Sequence, residues 1–119
     1  MNVNIDIPER NIVDALITAC EGGSGYWAAS SEYPYSSCRT PQWCEAKIHF
    51  KTGVRFEDRL ADGEEKSYYI LTEESLRSGI KLAAQSFPHI FAAIIEGAPD
   101  EPTSDAFLQL ALLGEIKYS

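Results

Sequence analysis

The chain is poor in the residues that carry most catalytic and metal-binding work. Its 119 residues include two histidines, His49 and His89, and three cysteines, Cys20, Cys38 and Cys44. An odd cysteine count does not make the framework of a small secreted disulfide protein. Cys38 and Cys44 enclose five residues, and His49 lies five positions beyond Cys44. That is wider than a zinc knuckle uses. A zinc site from Cys20, Cys38, Cys44 and His49 therefore requires the fold to gather them; a metal- or thiol-dependent enzyme around Cys38, Cys44 and His49 is a further alternative, and no cofactor is expected. Basic residues are scarce as well: Lys and Arg number 10 against 18 Asp and Glu, a formal net charge of −8. Neutralising a phosphate backbone needs the opposite balance, so direct nucleic-acid binding is not expected. Long apolar runs are missing, which excludes a membrane-spanning helix. The start, MNVNIDIPER, has neither a basic region nor an apolar core, so no secretion signal is expected and a cytoplasmic protein is.

Nucleotide loops are missing in a more instructive way. The stretch EGGSGYW, residues 21–27, has three glycines, yet neither G-x-x-x-x-G-K-[ST] nor G-x-G-x-x-G. Phosphate loops precede a helix, whose N-terminus faces the anion. These glycines follow one: Ile12, Val13, Leu16, Ile17 and Cys20 recur at helical spacing over residues 8–21, with Pro8 suited to a first turn. Gly22 and Gly23 then read as a left-handed helix stop, leaving Gly25 without a role. Ser24 is no nucleophile elbow, because position 26 is a tyrosine.

The patterning that is present gives an α+β class for one domain over residues 1–119. Val3, Ile5 and Ile7 alternate with polar residues as a short strand, and residues 25–30 are a candidate for another. Ala46, Ile48 and Phe50, then Val54, Phe56 and Leu60, alternate on either side of Lys51-Thr52-Gly53. A three-residue loop would place Ile48 opposite Phe56, Lys47 opposite Glu57 and Glu45 opposite Arg59. Asp58 then falls on the inward face, which suggests a bulge or a strand end. Asp62-Gly63 marks a turn and residues 66–71 a further strand, so an antiparallel meander of three or more strands is expected. Thr72 reads as an N-cap for a helix with Leu76, Ile80, Ala83, Ala84 and Phe87 on its buried stripe, stopped at Pro88. HIFAAIIEG reads as a short apolar helix and APDEPTSD as a loop. Thr103 or Ser104 would cap a last helix, residues 106–113, apolar nearly all round and so buried in the domain or in a homo-oligomer contact. Gly114 ends it, and residues 115–118 could form an edge strand. The C-terminal half is thus expected to be helical.

Adjacent carboxylates, Glu64-Glu65, Glu73-Glu74 and Asp100-Glu101, do not face each other on a helix and make no acid–base dyad. Asp105 and Gln109 do share a face. The densest signal is aromatic: Tyr26, Trp27, Tyr33, Tyr35 and Trp43 fall within residues 26–43, with Ser30, Ser31, Ser36 and Ser37 between them. Rigid rings among small polar residues make good recognition surfaces, although Tyr26 and Trp27 would equally suit a core.

Two segments taken together, EGGSGYW and SDAFLQLALLGEIKY, resemble a group of small uncharacterised phage and prophage proteins with an EGG-x-x-YW motif and a D-x-x-x-Q-x-A-x-x-G-E ending. The resemblance touches about a fifth of the chain and carries over no catalytic residue. It implies a phage-type protein at work in the cytoplasm of a bacterial host cell. If the motifs meet, Glu21, Tyr26 and Trp27 would face Asp105, Gln109 and Tyr118, as a pocket or as a polar latch joining the N- and C-terminal halves. The leading expectation is a non-enzymatic binding protein, an inhibitor of a host defence protein with a basic surface. It would act through the aromatic-serine loop and the acids Asp62, Glu64, Glu65, Asp100 and Glu101. The alternative is a nucleotide-signal binder, with Tyr26, Trp27 and Trp43 stacking on a base while Arg39 and the backbone of residues 22–25 meet a phosphate.

Overall fold

The computed structural model describes residues 7–29, 54–61 and 67–118. Helix α1, Glu9–Thr18, follows Pro8 and buries Val13, Ala15, Leu16 and Ile17. It does not stop at a left-handed glycine. It widens into a π turn, Ala19–Gly23, in which the Ser24 amide donates to the Ala19 carbonyl at 2.8 Å. Among the described glycines only Gly97 and Gly114 have positive φ, so the expected cap at Gly22 and Gly23 is not what forms. Both lie close to the start of the last helix, Gly23 against backbone and Gly22 against a movable side chain. A Cβ on Gly23 would lie 2.6 Å from the Glu101 carbonyl oxygen, and one on Gly22 2.7 Å from the Glu101 carboxylate.

The sheet corrects the expected meander. Strands β2, Val54–Asp58, and β3, Ser67–Leu71, form one antiparallel pair, with Val54 opposite Leu71 and Asp58 opposite Ser67. A two-residue strand β1, Ala28–Ala29, meets the other edge of β2 at Asp58 and Glu57. Among the described residues the sheet is therefore a single two-strand pair with a short bridge beside it. It is not a meander of three or more full strands, while the α+β class stands. The expected partner strand around Ile48, the strand at Val3–Ile5 and the Asp62-Gly63 turn lie outside the described residues. The register assigned to that partner, with Lys47 opposite Glu57 and Glu45 opposite Arg59, lies outside the described residues with it. Alternation fixes which face of a strand is buried; it does not fix which chain lies along each edge.

Helix α2, Glu73–Ser86, is capped as expected: Thr72 Oγ1 accepts the Ser75 amide at 3.2 Å. Leu76 and Ala83 are buried, but Ala84 is exposed. Pro88 opens α3, Pro88–Glu96, which buries Ile90 and Ile94 and ends at Gly97 with φ 86°. The last helix, α4, Glu101–Leu113, begins earlier than expected. Asp100 is its N-cap, accepting the Thr103 amide at 2.9 Å. Thr103 and Ser104 lie inside the helix. Pro102 is compatible because a first turn has no use for its missing N–H, so the Pro-rich stretch that reads as a loop is in fact a helix start.

Helix α4 forms the centre of the molecule. Phe107, Leu108 and Leu110 are buried against the other elements. The Ala111 backbone meets Gly79 of α2 so closely that a Cβ there would lie 2.9 Å from the Ala111 Cα. Burial within the chain accounts for Phe107, Leu108 and Leu110, while Leu112 and Leu113 are half-buried. Gly114 ends the helix in the left-handed region. Residues 115–118 form no strand and are held instead by the Gln109 side chain, which accepts the Lys117 and Tyr118 amides and donates to the Tyr118 carbonyl. No helix among the described residues is long and apolar enough to cross a membrane.

Candidate functional site

The π turn sets up the most concentrated chemistry in the described structure. It leads into a tight turn in which the amides of Trp27 and Ala28 both donate to the Ser24 carbonyl, at 3.1 and 2.9 Å. That turn aims three side chains at α4. Ser24 Oγ and Trp27 Nε1 each donate to Asp105 Oδ1 at 2.7 Å. Tyr26 OH donates to Asp105 Oδ2 at 2.6 Å, and Gln109 Nε2 approaches the same oxygen at 3.3 Å. Four donors thus converge on one carboxylate, about as many as its lone pairs hold. Ser24, Trp27, Asp105 and Gln109 are all buried.

Gln109, one turn along, is used as fully. Its Oε1 accepts the amides of Lys117 and Tyr118, each at 2.8 Å, and its Nε2 donates to the Tyr118 carbonyl at 2.9 Å. Tyr118 completes the circuit. Its ring lies against Trp27 with centroids 5.6 Å apart, and its hydroxyl donates to Asp58 Oδ2 at 2.8 Å. Asp58 Oδ1 accepts the Leu60 amide at 3.0 Å, and the Arg59 amide donates to the Trp27 carbonyl at 2.7 Å.

The electrostatics follow from this wiring. Burial, the hydrogen bond to Asp105 and that carboxylate's negative charge push the Tyr26 phenol up to about 12, against an opposing hydrogen bond from Gln109. Tyr26 as a residue is 42% exposed, while its hydroxyl is turned onto Asp105. Burial and the bond to Asp58 likewise raise Tyr118. All the donors here are spent on protein acceptors. Ser24 is 1% exposed, so a substrate has no approach to its hydroxyl. The arrangement is a closed polar latch, and the pocket alternative for these residues does not fit it.

Of the residues singled out from sequence, Tyr26, Trp27, Asp105, Gln109 and Tyr118 come together here. The side chain of Glu21 lies outside the described residues, as do Tyr33, Tyr35, Cys38, Arg39, Trp43, Cys44, His49, Asp62, Glu64 and Glu65. Asp100 and Glu101 are not a loop patch. They form the N-cap and first turn of α4, and hydrogen bonds to Thr103 hold the Asp100 carboxyl below its usual range. The nucleotide-binding arrangement is also corrected. Trp27 is wholly buried, and Gly22 and Gly23 face Glu101, so a carboxylate stands where that arrangement needs a phosphate. Among the described residues no group of three or more His, Cys, Asp or Glu could hold a metal ion.

Sequence reasoning missed Ser24 and Asp58 as members of the latch. Asp58 carried a signal, an acid on the inward face of an apolar strand. Ser24 carried one only in its position, two residues before Tyr26. Compared with known proteins, the chain matches no family model, no curated protein and no solved structure.

Proposed function

We propose that the protein is a non-enzymatic binding module of phage type that engages a basic surface on a host protein. Inhibition of a defence protein is the reading that best fits its charge and composition. One observation carries this. The described polar network is saturated internally: its donors are spent on Asp105, Gln109 and Asp58, and it fastens the start of β1 to the far end of β2, which leaves residues 30–53 between the two strands as the stretch to carry contacts with a partner. Those residues hold Tyr33, Tyr35 and Trp43 among serines, a composition that supplies rigid contact area with adaptable polar groups. The excess of 18 acids over 10 bases favours a basic partner and rapid, salt-sensitive association.

The test is affinity capture from a bacterial host lysate with the full chain and a Tyr33→Ala, Tyr35→Ala, Trp43→Ala variant. Capture is repeated at about 0.05 and 0.5 M salt, which shortens the range of charge interactions severalfold. One host protein should be retained by the parent chain, lost with the triple variant and weakened by salt. Retention that ignores both changes would reject the reading.

A further inference from the structure

The β1–β2 junction is small. Two residue pairs join the strands, and a ladder that short does not hold by itself in water. Tyr118 reaches both sides of it. Its ring lies on Trp27, immediately before β1, and its hydroxyl bonds Asp58, the last residue of β2. Its own backbone is held through the Gln109 side chain by two bonds, and a third reaches the neighbouring Lys117 amide. Residues 114–117 are exposed. A segment with few apolar contacts and a few discrete holding points opens locally, at a free energy well below that of global unfolding.

We propose that Tyr118 is a clasp on the β1–β2 junction, so that residues 115–118 and the junction open and close as one unit. The inference stands on described residues alone and does not depend on the binding reading. Two sites coupled in this way must report on each other reciprocally. Loosening Tyr118 exposes the Arg59 amide, which closes onto Trp27, and loosening Asp58 exposes the Lys117 and Tyr118 amides. Ordinary packing of a chain segment predicts no such exchange of effects.

Amide hydrogen exchange on the full chain, without any partner, tests it with Tyr118→Ala, Tyr118→Phe and Asp58→Ala. In Tyr118→Ala the Arg59 amide should exchange about tenfold faster or more, the scale of losing a hydrogen bond to a charged group. Tyr118→Phe, which keeps the ring, should give a smaller increase. The Phe87 amide, bonded to Ala83 at the end of α2, should stay within about twofold, as a locally opening unit requires. In Asp58→Ala the Lys117 and Tyr118 amides should accelerate. An unchanged Arg59 amide, equal acceleration at Phe87, or unaffected Lys117 and Tyr118 amides in Asp58→Ala would each overturn the proposal. If Tyr118→Ala does not fold, the Phe and Asp58 variants decide it on the same amides.

Discussion

At the scale of single residues, Asp105 holds the turn at residues 24–27 to the last helix. Its three partners from the turn lie 78 to 81 positions away in sequence. A buried donor left without an acceptor costs about 1–3 kcal/mol. Asp105→Ala strands the buried Ser24 and Trp27 donors at once, so urea unfolding should show a loss of about 3 kcal/mol or more. Asp105→Asn keeps one oxygen for Ser24 and Trp27 but turns an amide toward Gln109 Nε2, another donor. Its loss should be smaller, about 1–2 kcal/mol. Equal losses in the two variants would mean that the charge, not the acceptor geometry, matters. Tyr26 adds a pH test. Its phenol ionises near 10 when unfolded and about 12 when folded, so the folded state keeps a proton that the unfolded state has lost. The stabilisation is complete below pH 10 and declines as pH rises toward about 12. Tyr26→Phe should remove that part of the alkaline decline, seen by comparing denaturation midpoints of the two proteins across the window.

At the scale of elements, the three glycines of EGGSGYW prove to differ from one another. Gly23 faces backbone of α4, Gly22 faces the end of a flexible Glu101 side chain, and a Cβ on Gly25 meets nothing nearer than 3.7 Å. Gly23→Ala should therefore cost about 1–3 kcal/mol by overpacking. Gly22→Ala should cost less, because Glu101 can swing away. Gly25→Ala should be neutral or slightly stabilising through the unfolded chain. Thermal melts of the three variants check the order, and a large loss at Gly25 would contradict it. The same stretch indicates what could be read from sequence. The helix before it, the Thr72 cap, the Pro88 break and the Gly97 and Gly114 stops were all legible, because each depends on residues within one turn. The left-handed cap at Gly22–Gly23 was misread, because the demand for small residues comes from α4, some eighty positions away. The meander was misread for a similar reason: alternation marks a strand's inward face, but tertiary contacts choose its neighbours. The helix start at Asp100 was missed because Pro102 looks like a breaker until it is placed in a first turn. The latch was half legible. Asp105 and Gln109 share a face at i and i+4, whereas Ser24 becomes visible only once the π turn has rotated it inward.

At the scale of the whole molecule, charge and fold act in opposite directions. The excess negative charge, 18 acids against 10 bases, repels itself more in the compact state than in the expanded one. The ion pair resolved between Arg77 and Glu73, at 3.4 Å, is exposed on both sides, where such pairs contribute little. The buried carboxylates, Asp58 and Asp105, accept hydrogen bonds from neutral donors, and salt does not screen those bonds. Raising ionic strength from about 0.01 to 0.15 M shortens the Debye length from roughly 30 to 8 Å. It should weaken the repulsion and leave the latch intact. The melting temperature at pH 7 should therefore rise by about 2–4 °C, the shift that a gain of somewhat under 1 kcal/mol produces at this chain length. A fall would mean that exposed ion pairs contribute more than the self-repulsion costs. The sign also separates folding from binding. As salt rises, capture of a basic partner should weaken while the protein itself becomes harder to unfold. Loss of capture at high salt could not then be ascribed to loss of the fold.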